Sequence, residues 1–175
     1  MAALVLLRHT RPNIGPDVCY GQTDVDVQTS FEQEAREATG TLMPPDLIVT
    51  SPLQRCRKLA EFAAKTLSCD CIVDTRLTEM DFGRWETQSW STIPRQELDA
   101  WAADFLHAAP HGGESVEALN HRVAGRLQDD KAANRSTLWV THAGVIKSVR
   151  YLTAENPNEF DWRETVEFGQ TTRIY

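Results

Sequence analysis

The sequence has few cysteines, no long apolar run and fewer basic than acidic residues. Its four cysteines form no Cys-x-x-Cys pair, which argues against a zinc knuckle or a thioredoxin-type redox pair, and we expect them to be reduced. No apolar stretch approaches the roughly 20 residues of a membrane helix, so no membrane span is expected. Lys and Arg number 18 against 25 Asp and Glu, giving a net charge of -7. This balance argues against a nucleic-acid partner, because phosphate backbones bind to basic surfaces.

Several common catalytic and nucleotide-binding motifs are also absent. There is no Gly-x-Gly-x-x-Gly after the first apolar run, no P-loop and no Gly-x-Ser-x-Gly elbow, which argues against a dinucleotide fold, a P-loop NTPase and a common α/β-hydrolase. His107 and His111 have the i, i+4 spacing of a helical metal pair, but Pro110 lies between them and no acidic partner completes a site. We therefore expect neither a metal nor an organic cofactor.

Apolar runs and helix-forming segments alternate along the chain. The apolar runs predict strands at 3–8, 46–50, 71–74 and 137–141, with a weaker pair at 164–168 and 171–175. Helical spacing predicts helices at 30–41, 52–67, 115–131 and 144–153. Ser51 is the expected N-cap of the second helix and Pro52 its first residue. The alternation predicts an α/β fold, a three-layer α/β/α sandwich with a mainly parallel central sheet.

The stretch 76–113 fits this alternation poorly. It is rich in tryptophan, proline and glycine, and we interpret it as an insertion that roofs the functional site, with a helix near 94–106. No low-complexity linker divides the chain, so residues 1–175 are expected to form one domain. The N-terminal apolar run reaches Arg8 without the basic start or small-residue cleavage site of a signal peptide. It is therefore predicted to be a strand, and a cytoplasmic location is expected.

Two histidines follow apolar runs that lie far apart in the chain. His9 comes directly after the first run and His142 after the run at 137–141. Because the carboxyl ends of parallel strands meet at one edge of an open sheet, where ligands bind, the two rings are expected to lie close together. Arg8 and Arg55 would bring positive charge to the same edge. A histidine beside arginines can attack phosphorus, so the pattern predicts a site for a small phosphorylated metabolite.

Five segments of the chain form a recognisable series: Arg8-His9-Thr10, Ser51-Pro52-Leu53-Gln54-Arg55-Cys56, 77–86, 112–115 and Thr141-His142-Ala143-Gly144. They occur in the order seen in the histidine phosphatase superfamily, also called phosphoglycerate-mutase-like. The chain resembles this superfamily from residue 4 to about residue 152. Within the superfamily, residues 19–25 resemble the loop of the α-ribazole phosphatases, which dephosphorylate α-ribazole 5′-phosphate in cobalamin synthesis.

The resemblance implies a metal-independent phosphatase that works through a phosphohistidine. His9 would attack the phosphorus, while Arg8 and Arg55 would keep its ring neutral and bind the phosphate oxygens. His142 would donate to another phosphate oxygen and offset charge in the transition state. Glu79 would protonate the leaving alkoxide and then accept a proton from the water that hydrolyses the phosphohistidine.

Other residues complete the predicted site. Asp81, Glu86 and Glu114 are the alternatives to Glu79 as proton donor. Ser115 is expected to cap the helix that follows it and also to bind phosphate. The substrate pocket is predicted to contain Tyr20, Gln22, Thr23 and Trp85, and one ring among Tyr20, Trp85 and Trp90 is expected to stack on the benzimidazole base.

Three classes of function stay open from the sequence. The first is a phosphomonoesterase, with α-ribazole 5′-phosphate as the favoured substrate and a broad-specificity sugar-phosphate phosphatase as an alternative. The second is a phosphoglycerate mutase, which returns the phosphoryl group to a glycerate instead of water; such mutases usually carry a longer insertion, which favours hydrolysis here. The third is a phospho-ligand-binding domain without turnover. The sequence predicts no oligomeric state.

Overall fold

The computed structural model describes residues 2–175 and contains a five-stranded sheet. The strands are β1 (Leu4–Arg8), β2 (Leu47–Thr50), β3 (Cys71–Val73), β4 (Thr137–Thr141) and β5 (Thr171–Arg173). Their order across the sheet is β3-β2-β4-β1-β5, and every pairing is parallel except that of β5 with β1. The predicted α/β fold with a mainly parallel central sheet is confirmed.

Five α-helices connect and cover the strands. They are α1 (Phe31–Thr39), α2 (Gln54–Leu67), α3 (Arg95–Ala103), α4 (Val116–Ala133) and α5 (Ala143–Thr153), with short 3₁₀ turns at Thr75–Leu77, Gly83–Trp85 and Pro157–Glu159. Ser115 caps α4, as the sequence predicts, because its hydroxyl accepts a hydrogen bond from the amide of Ala118. Among residues 2–175, no helix combines the length and the apolar character needed to cross a membrane.

The two faces of the sheet pack into separate apolar clusters, which produces the three predicted layers. Side chains of a strand alternate between the faces. Leu4 and Leu6 therefore join the cluster formed with α4 and α5, whereas Leu7 joins the cluster formed with α1 and α2. β2 and β4 are buried along their whole length. Burial on both faces explains why these central strands show continuous apolar runs in the sequence.

The start of α2 differs from the sequence-based prediction. The helix begins at Gln54, with Leu53 in the N-cap position, so Pro52 precedes the helix. The Ser51 hydroxyl lies 2.7 Å from Nε2 of His142, and it is the Asp24 carboxylate that accepts a hydrogen bond from the amide of Gln54, at 2.8 Å. The cap of this helix is therefore supplied by a loop 30 residues away.

The C-terminal region also departs from the prediction. Only 171–173 form a strand, and the predicted strand at 164–168 is wrong. Val166 is nevertheless buried, and Phe168 packs on the Arg8 guanidinium, whose carbon lies 3.8 Å from the ring centroid. These contacts, rather than strand pairing, account for the spaced apolar residues of this segment.

Candidate active site

Parallel strands bring two histidines together at one edge of the sheet. His9 follows β1 and His142 follows β4, and the register pairs Arg8 with Thr141. The two imidazole rings meet edge to face with their centroids 5.2 Å apart, and both side chains are almost completely buried. The predicted meeting of His9 and His142 is confirmed.

The surroundings of His9 define its protonation state. Its Nδ1 lies 2.7 Å from the Thr10 carbonyl oxygen, which can only accept, so Nδ1 carries the hydrogen. Burial, followed by the charges of Arg55 and Arg8, holds the pKa of His9 well below its usual value of 6.5. The ring is therefore neutral near pH 7, and Nε2 keeps the lone pair that a nucleophile needs.

His142 lies deeper in the protein and makes contacts of its own. Its Nε2 is 2.7 Å from the hydroxyl of Ser51 and 3.4 Å from the thiol sulfur of Cys56. Burial, followed by the charges of Arg55 and His9, keeps the pKa of His142 well below 6.5. In the tautomer that accepts the Ser51 hydroxyl at Nε2, the ring hydrogen is on Nδ1 and can be donated.

Arg55, in the first turn of α2, is fully buried beside this pair. One terminal nitrogen donates to the carbonyl of Thr23 at 2.9 Å and the other to the carbonyl of Gly21 at 2.6 Å. Neither acceptor carries a charge, and within residues 2–175 no carboxylate forms a salt bridge with Arg55. Its guanidinium thus remains an uncompensated buried cation, an arrangement that favours an anion nearby.

Arg8 is positioned by the C-terminal segment. Its guanidinium lies over the ring of Phe168 and donates to the carbonyl of Val166. Phe168 is not among the predicted site residues, because its apolar spacing indicates a strand and no local pattern links it to an arginine 160 residues earlier.

Glu79 lies at the N-terminal end of α5. The amide of Gly144 donates to its Oε2 at 3.1 Å, and the amide of Met80 donates to Oε1 at 2.9 Å. Of the predicted proton donors, Glu79 alone lines the cavity beside His9. Asp81 accepts from the amide of Gly83, and Glu86 is occupied by backbone and hydroxyl donors away from the cavity.

A cavity of about 550 Å³ opens above His9. Arg8, Glu79 and Tyr20 lie in its wall, and much of the rest of the wall is apolar: Pro12, Ile14, Pro16, Val18, Trp90 and Phe168. Arg8 and Arg11 are its only cationic side chains among the described residues. Arg55 and His142 do not line it, although both lie close to His9. The loop residues that form the apolar wall show no periodicity, so the sequence does not predict them.

Several predicted site residues lie elsewhere. Trp85 is buried with Cys19 and Ile93 and does not line the cavity, so its predicted place in the substrate pocket is corrected. Gln22 and Thr23 lie outside the cavity wall, since their amides bind the Glu86 carboxylate. Ser115 uses its hydroxyl to cap α4 and does not line the cavity, so its predicted contact with phosphate has no support in the geometry.

This arrangement is suited to phosphoryl transfer. It places an unprotonated imidazole nitrogen beside two arginines and beside a carboxylate that faces the same cavity. No cluster of three or more His, Cys, Asp or Glu residues that could hold a metal occurs in the part of the chain that the structure describes.

Comparisons with known proteins agree with this geometry. The profile of the histidine phosphatase superfamily (branch 1) matches residues 4–174. A probable phosphoglycerate mutase GpmB of Cronobacter sakazakii is 30% identical over 113 residues, which covers 61% of this chain and 52% of the relative. The matching relative of Escherichia coli O1:K1 is 29% identical over 130 residues, covering 70% of this chain and 60% of its own length. The chain thus spans little more than half the length of these curated relatives.

Solved structures share the fold over more of the chain. The native mycobacterial glucosyl-3-phosphoglycerate phosphatase is 26% identical, with a TM-score of 0.80 over 89% of this chain and 81% of that chain. The α-ribazole phosphatase of Shigella flexneri has a TM-score of 0.83 over 98% of this chain and 89% of that chain. At 23% identity, the latter likeness shows the fold alone.

Proposed function

Because this chain belongs to the histidine phosphatase superfamily, we propose that it is a metal-independent phosphomonoesterase that acts through a phosphohistidine on His9. The observation that carries the proposal is the state of His9, whose Nδ1 donates to the Thr10 carbonyl while its Nε2 stays unprotonated beside two arginines. A nucleophile in this state needs no separate base to activate it.

Each step of the reaction has a residue to perform it. Nε2 of His9 attacks the phosphorus, and the bond from phosphorus to the leaving oxygen breaks. Glu79, which faces the same cavity, gives that oxygen its proton. Water then attacks the phosphohistidine, Glu79 takes the proton of that water, and inorganic phosphate and free His9 result. Arg8 and Arg55 supply positive charge, and the neutral ring of His142 supplies an N–H group, to stabilise the phosphoryl oxygens.

For the substrate, we propose an ester whose alcohol carries an apolar ring, with α-ribazole 5′-phosphate as the favoured example. The cavity wall supports this choice, because Trp90, Ile14 and Val18 offer apolar surface to a benzimidazole. A glycerate carboxylate would need a cation besides those that hold phosphate. Arg11 is the remaining cation in the wall, and it already pairs with Glu34. The loop at 19–25, which resembles that of α-ribazole phosphatases, supports the same substrate.

A panel of phosphate esters tests the proposal. The purified protein, without added metal, is assayed with α-ribazole 5′-phosphate, glucosyl-3-phosphoglycerate, 3-phosphoglycerate, a hexose phosphate and p-nitrophenyl phosphate. We expect the highest kcat/KM for α-ribazole 5′-phosphate. Equal values across the panel would leave a generalist phosphatase, and conversion of 3-phosphoglycerate to its 2-isomer would indicate a mutase. No turnover of any ester, p-nitrophenyl phosphate included, would indicate a binding domain.

A further inference from the structure

Glu86 forms a dense set of hydrogen bonds although it takes no part in the proposed reaction. Its two carboxylate oxygens accept from the amides of Gln22 at 2.9 Å, Thr23 at 2.7 Å and Phe82 at 3.1 Å, and from the Thr23 hydroxyl. A carboxylate has about four acceptor positions, so all of them are in use. Burial works against ionisation, but these hydrogen bonds hold the pKa of Glu86 below its usual value.

The loop held by Glu86 is the loop that holds Arg55. The carbonyls of Gly21 and Thr23 accept the two terminal nitrogens of the Arg55 guanidinium. One residue further on, Asp24 accepts from the amide of Gln54 and so fixes the start of the helix that carries Arg55. The amides of this loop thus face Glu86 while its carbonyls face Arg55.

The loop has little freedom to shift relative to Glu86. A Cβ at Gly21 would lie 2.6 Å from Oε1 of Glu86 and would overlap the backbone oxygen of Met80. Glu86 itself ends the 3₁₀ turn Gly83–Trp85, with its amide bonded to the carbonyl of Gly83. The adjacent Trp85 ring is buried. The position of Glu86 is therefore determined by the 3₁₀ turn that precedes it, and the loop containing Gly21 packs against Glu86.

The connection through backbone carbonyls has an electrostatic consequence. A carboxylate bonded directly to Arg55 would orient the guanidinium but would also neutralise it. Carbonyl oxygens orient it and leave its charge available to a phosphate dianion. The backbone of the loop therefore separates the carboxylate of Glu86 from the guanidinium of Arg55.

We propose that Glu86 is a positioning residue for the phosphate site, which fixes the Gly21–Thr23 carbonyls and through them the guanidinium of Arg55. The inference rests on the proposed function only in treating Arg55 as a phosphate ligand. It assigns Glu86 a role other than that of proton donor, which the sequence alone leaves open.

The test measures phosphate binding and turnover separately. Inorganic phosphate is titrated into the wild type, Glu86→Gln and Glu97→Gln by calorimetry, and all three are assayed with p-nitrophenyl phosphate and with an alkyl phosphate. Glu86→Gln places an N–H group against backbone N–H donors, so we expect its Kd for phosphate and its KM to rise tenfold or more. The loss in kcat/KM should be equal for the two esters. Glu97→Gln is the matched control, since Glu97 holds Trp85 and Arg84 and does not contact the loop.

The outcomes separate this inference from the proposed function. An unchanged Kd in a folded Glu86→Gln variant would overturn the positioning role without affecting the phosphatase assignment. A loss confined to the alkyl ester would also overturn it, because it would make Glu86 the proton donor. If the wild type binds phosphate but hydrolyses no ester, the proposed function is refuted. The positioning role is then decided by whether Glu86→Gln raises the Kd for phosphate above that of the wild type. If Glu86→Gln does not fold, Thr23→Val removes only the hydroxyl bond and should raise Kd severalfold; an unchanged Kd would overturn the role.

Discussion

The α-carbon of Gly144 lies directly against the carboxylate of Glu79. The Gly144 amide donates to Oε2 at 3.1 Å, and a Cβ at this position would overlap Oε1. The absence of a side chain at residue 144 is therefore what allows Glu79 to reach the first turn of α5.

Replacing Gly144 tests the role of Glu79 without removing the carboxylate. Gly144→Ala should fold, because alanine suits a helix and the obstructing atoms are the end of a flexible side chain. The displaced Glu79 should be a poor proton donor to the leaving oxygen, so kcat/KM for an alkyl phosphate should fall by about 10²-fold or more. p-Nitrophenyl phosphate, whose leaving group needs little protonation, should lose far less. Glu79→Gln should show the same pattern.

Gly125→Ala is the control for this substitution. Gly125 also lies in a helix, but the nearest atom to its added Cβ is 3.8 Å away. This variant should keep full activity on both esters. Equal losses on both esters in Gly144→Ala would argue that Glu79 is not the proton donor.

Phosphoryl transfer through His9 predicts a covalent intermediate. His9→Ala should lower kcat by at least about 10³-fold while the fold is retained, since the nucleophile is lost. Rapid quenching of the wild type should trap a phosphoenzyme that is labile in acid and stable in base. His121→Ala, at an exposed position on α4, should retain both activity and the intermediate. An acid-stable phosphoenzyme would point to another nucleophile.

Activity should not depend on a metal ion. Arg8 and Arg55 lie close enough to His9 to lower its pKa, and they can supply the charge that other phosphatases take from a metal. We expect kcat and KM to be unchanged after dialysis against EDTA. A loss that Mg²⁺ or Zn²⁺ restores would contradict this.

The buried histidines predict a loss of stability in mild acid. Burial lowers the pKa values of both His9 and His142 in the folded state. At a pH below 6.5 but above these lowered pKa values, the two histidines are protonated in the unfolded chain and neutral in the folded protein. Their contribution to the free energy of unfolding is fully present above pH 6.5. It is lost as pH falls, by about 1.4 kcal/mol per pH unit for each histidine.

Urea unfolding between pH 7.5 and 5 measures this slope. His142→Gln should give a shallower slope than the wild type, whatever its absolute stability. His121→Gln, at the exposed position, should keep the slope of the wild type. Identical slopes in all three proteins would show that His142 is protonated in the folded state.

Trp90 is the aromatic residue through which the substrate proposal is tested. It lines the cavity and packs edge to face on Phe82 and Trp85. If its ring contacts the base of α-ribazole 5′-phosphate, Trp90→Leu should cost about 1–3 kcal/mol in kcat/KM for that ester. A hexose phosphate should be hydrolysed at the rate of the wild type. Equal losses on both esters would assign Trp90 a purely structural role.

The parts of the fold that could be predicted are those determined locally or by burial on both faces. β1, β2 and β4 are central strands, and their continuous apolar runs are visible in the sequence. The closeness of His9 and His142 could be predicted from the strands that precede them, because parallel strands place their carboxyl ends side by side. Glu79 depends on the motif alone, since no periodic pattern surrounds it.

The parts that could not be predicted depend on contacts between distant residues. Ser51 resembles a helix cap in sequence, but its hydroxyl contacts a histidine 91 residues away. Asp24, which performs the capping, lies in a loop without regular structure. Trp85 and Trp90 are close in sequence and similar in chemistry, yet only Trp90 reaches the cavity. No property of the sequence around them separates the two.

The contacts of Arg8 make the phosphate site depend on the C-terminal segment. Its guanidinium is held by Val166 and Phe168, and β5 closes the outer edge of β1. Val166 follows Arg8 by 158 residues in the chain. The segment from β1 through α5 contains both histidines of the site, but it lacks both of these partners of Arg8. A truncation after α5 would therefore leave His9 and His142 in the chain and remove the contacts that hold the Arg8 guanidinium.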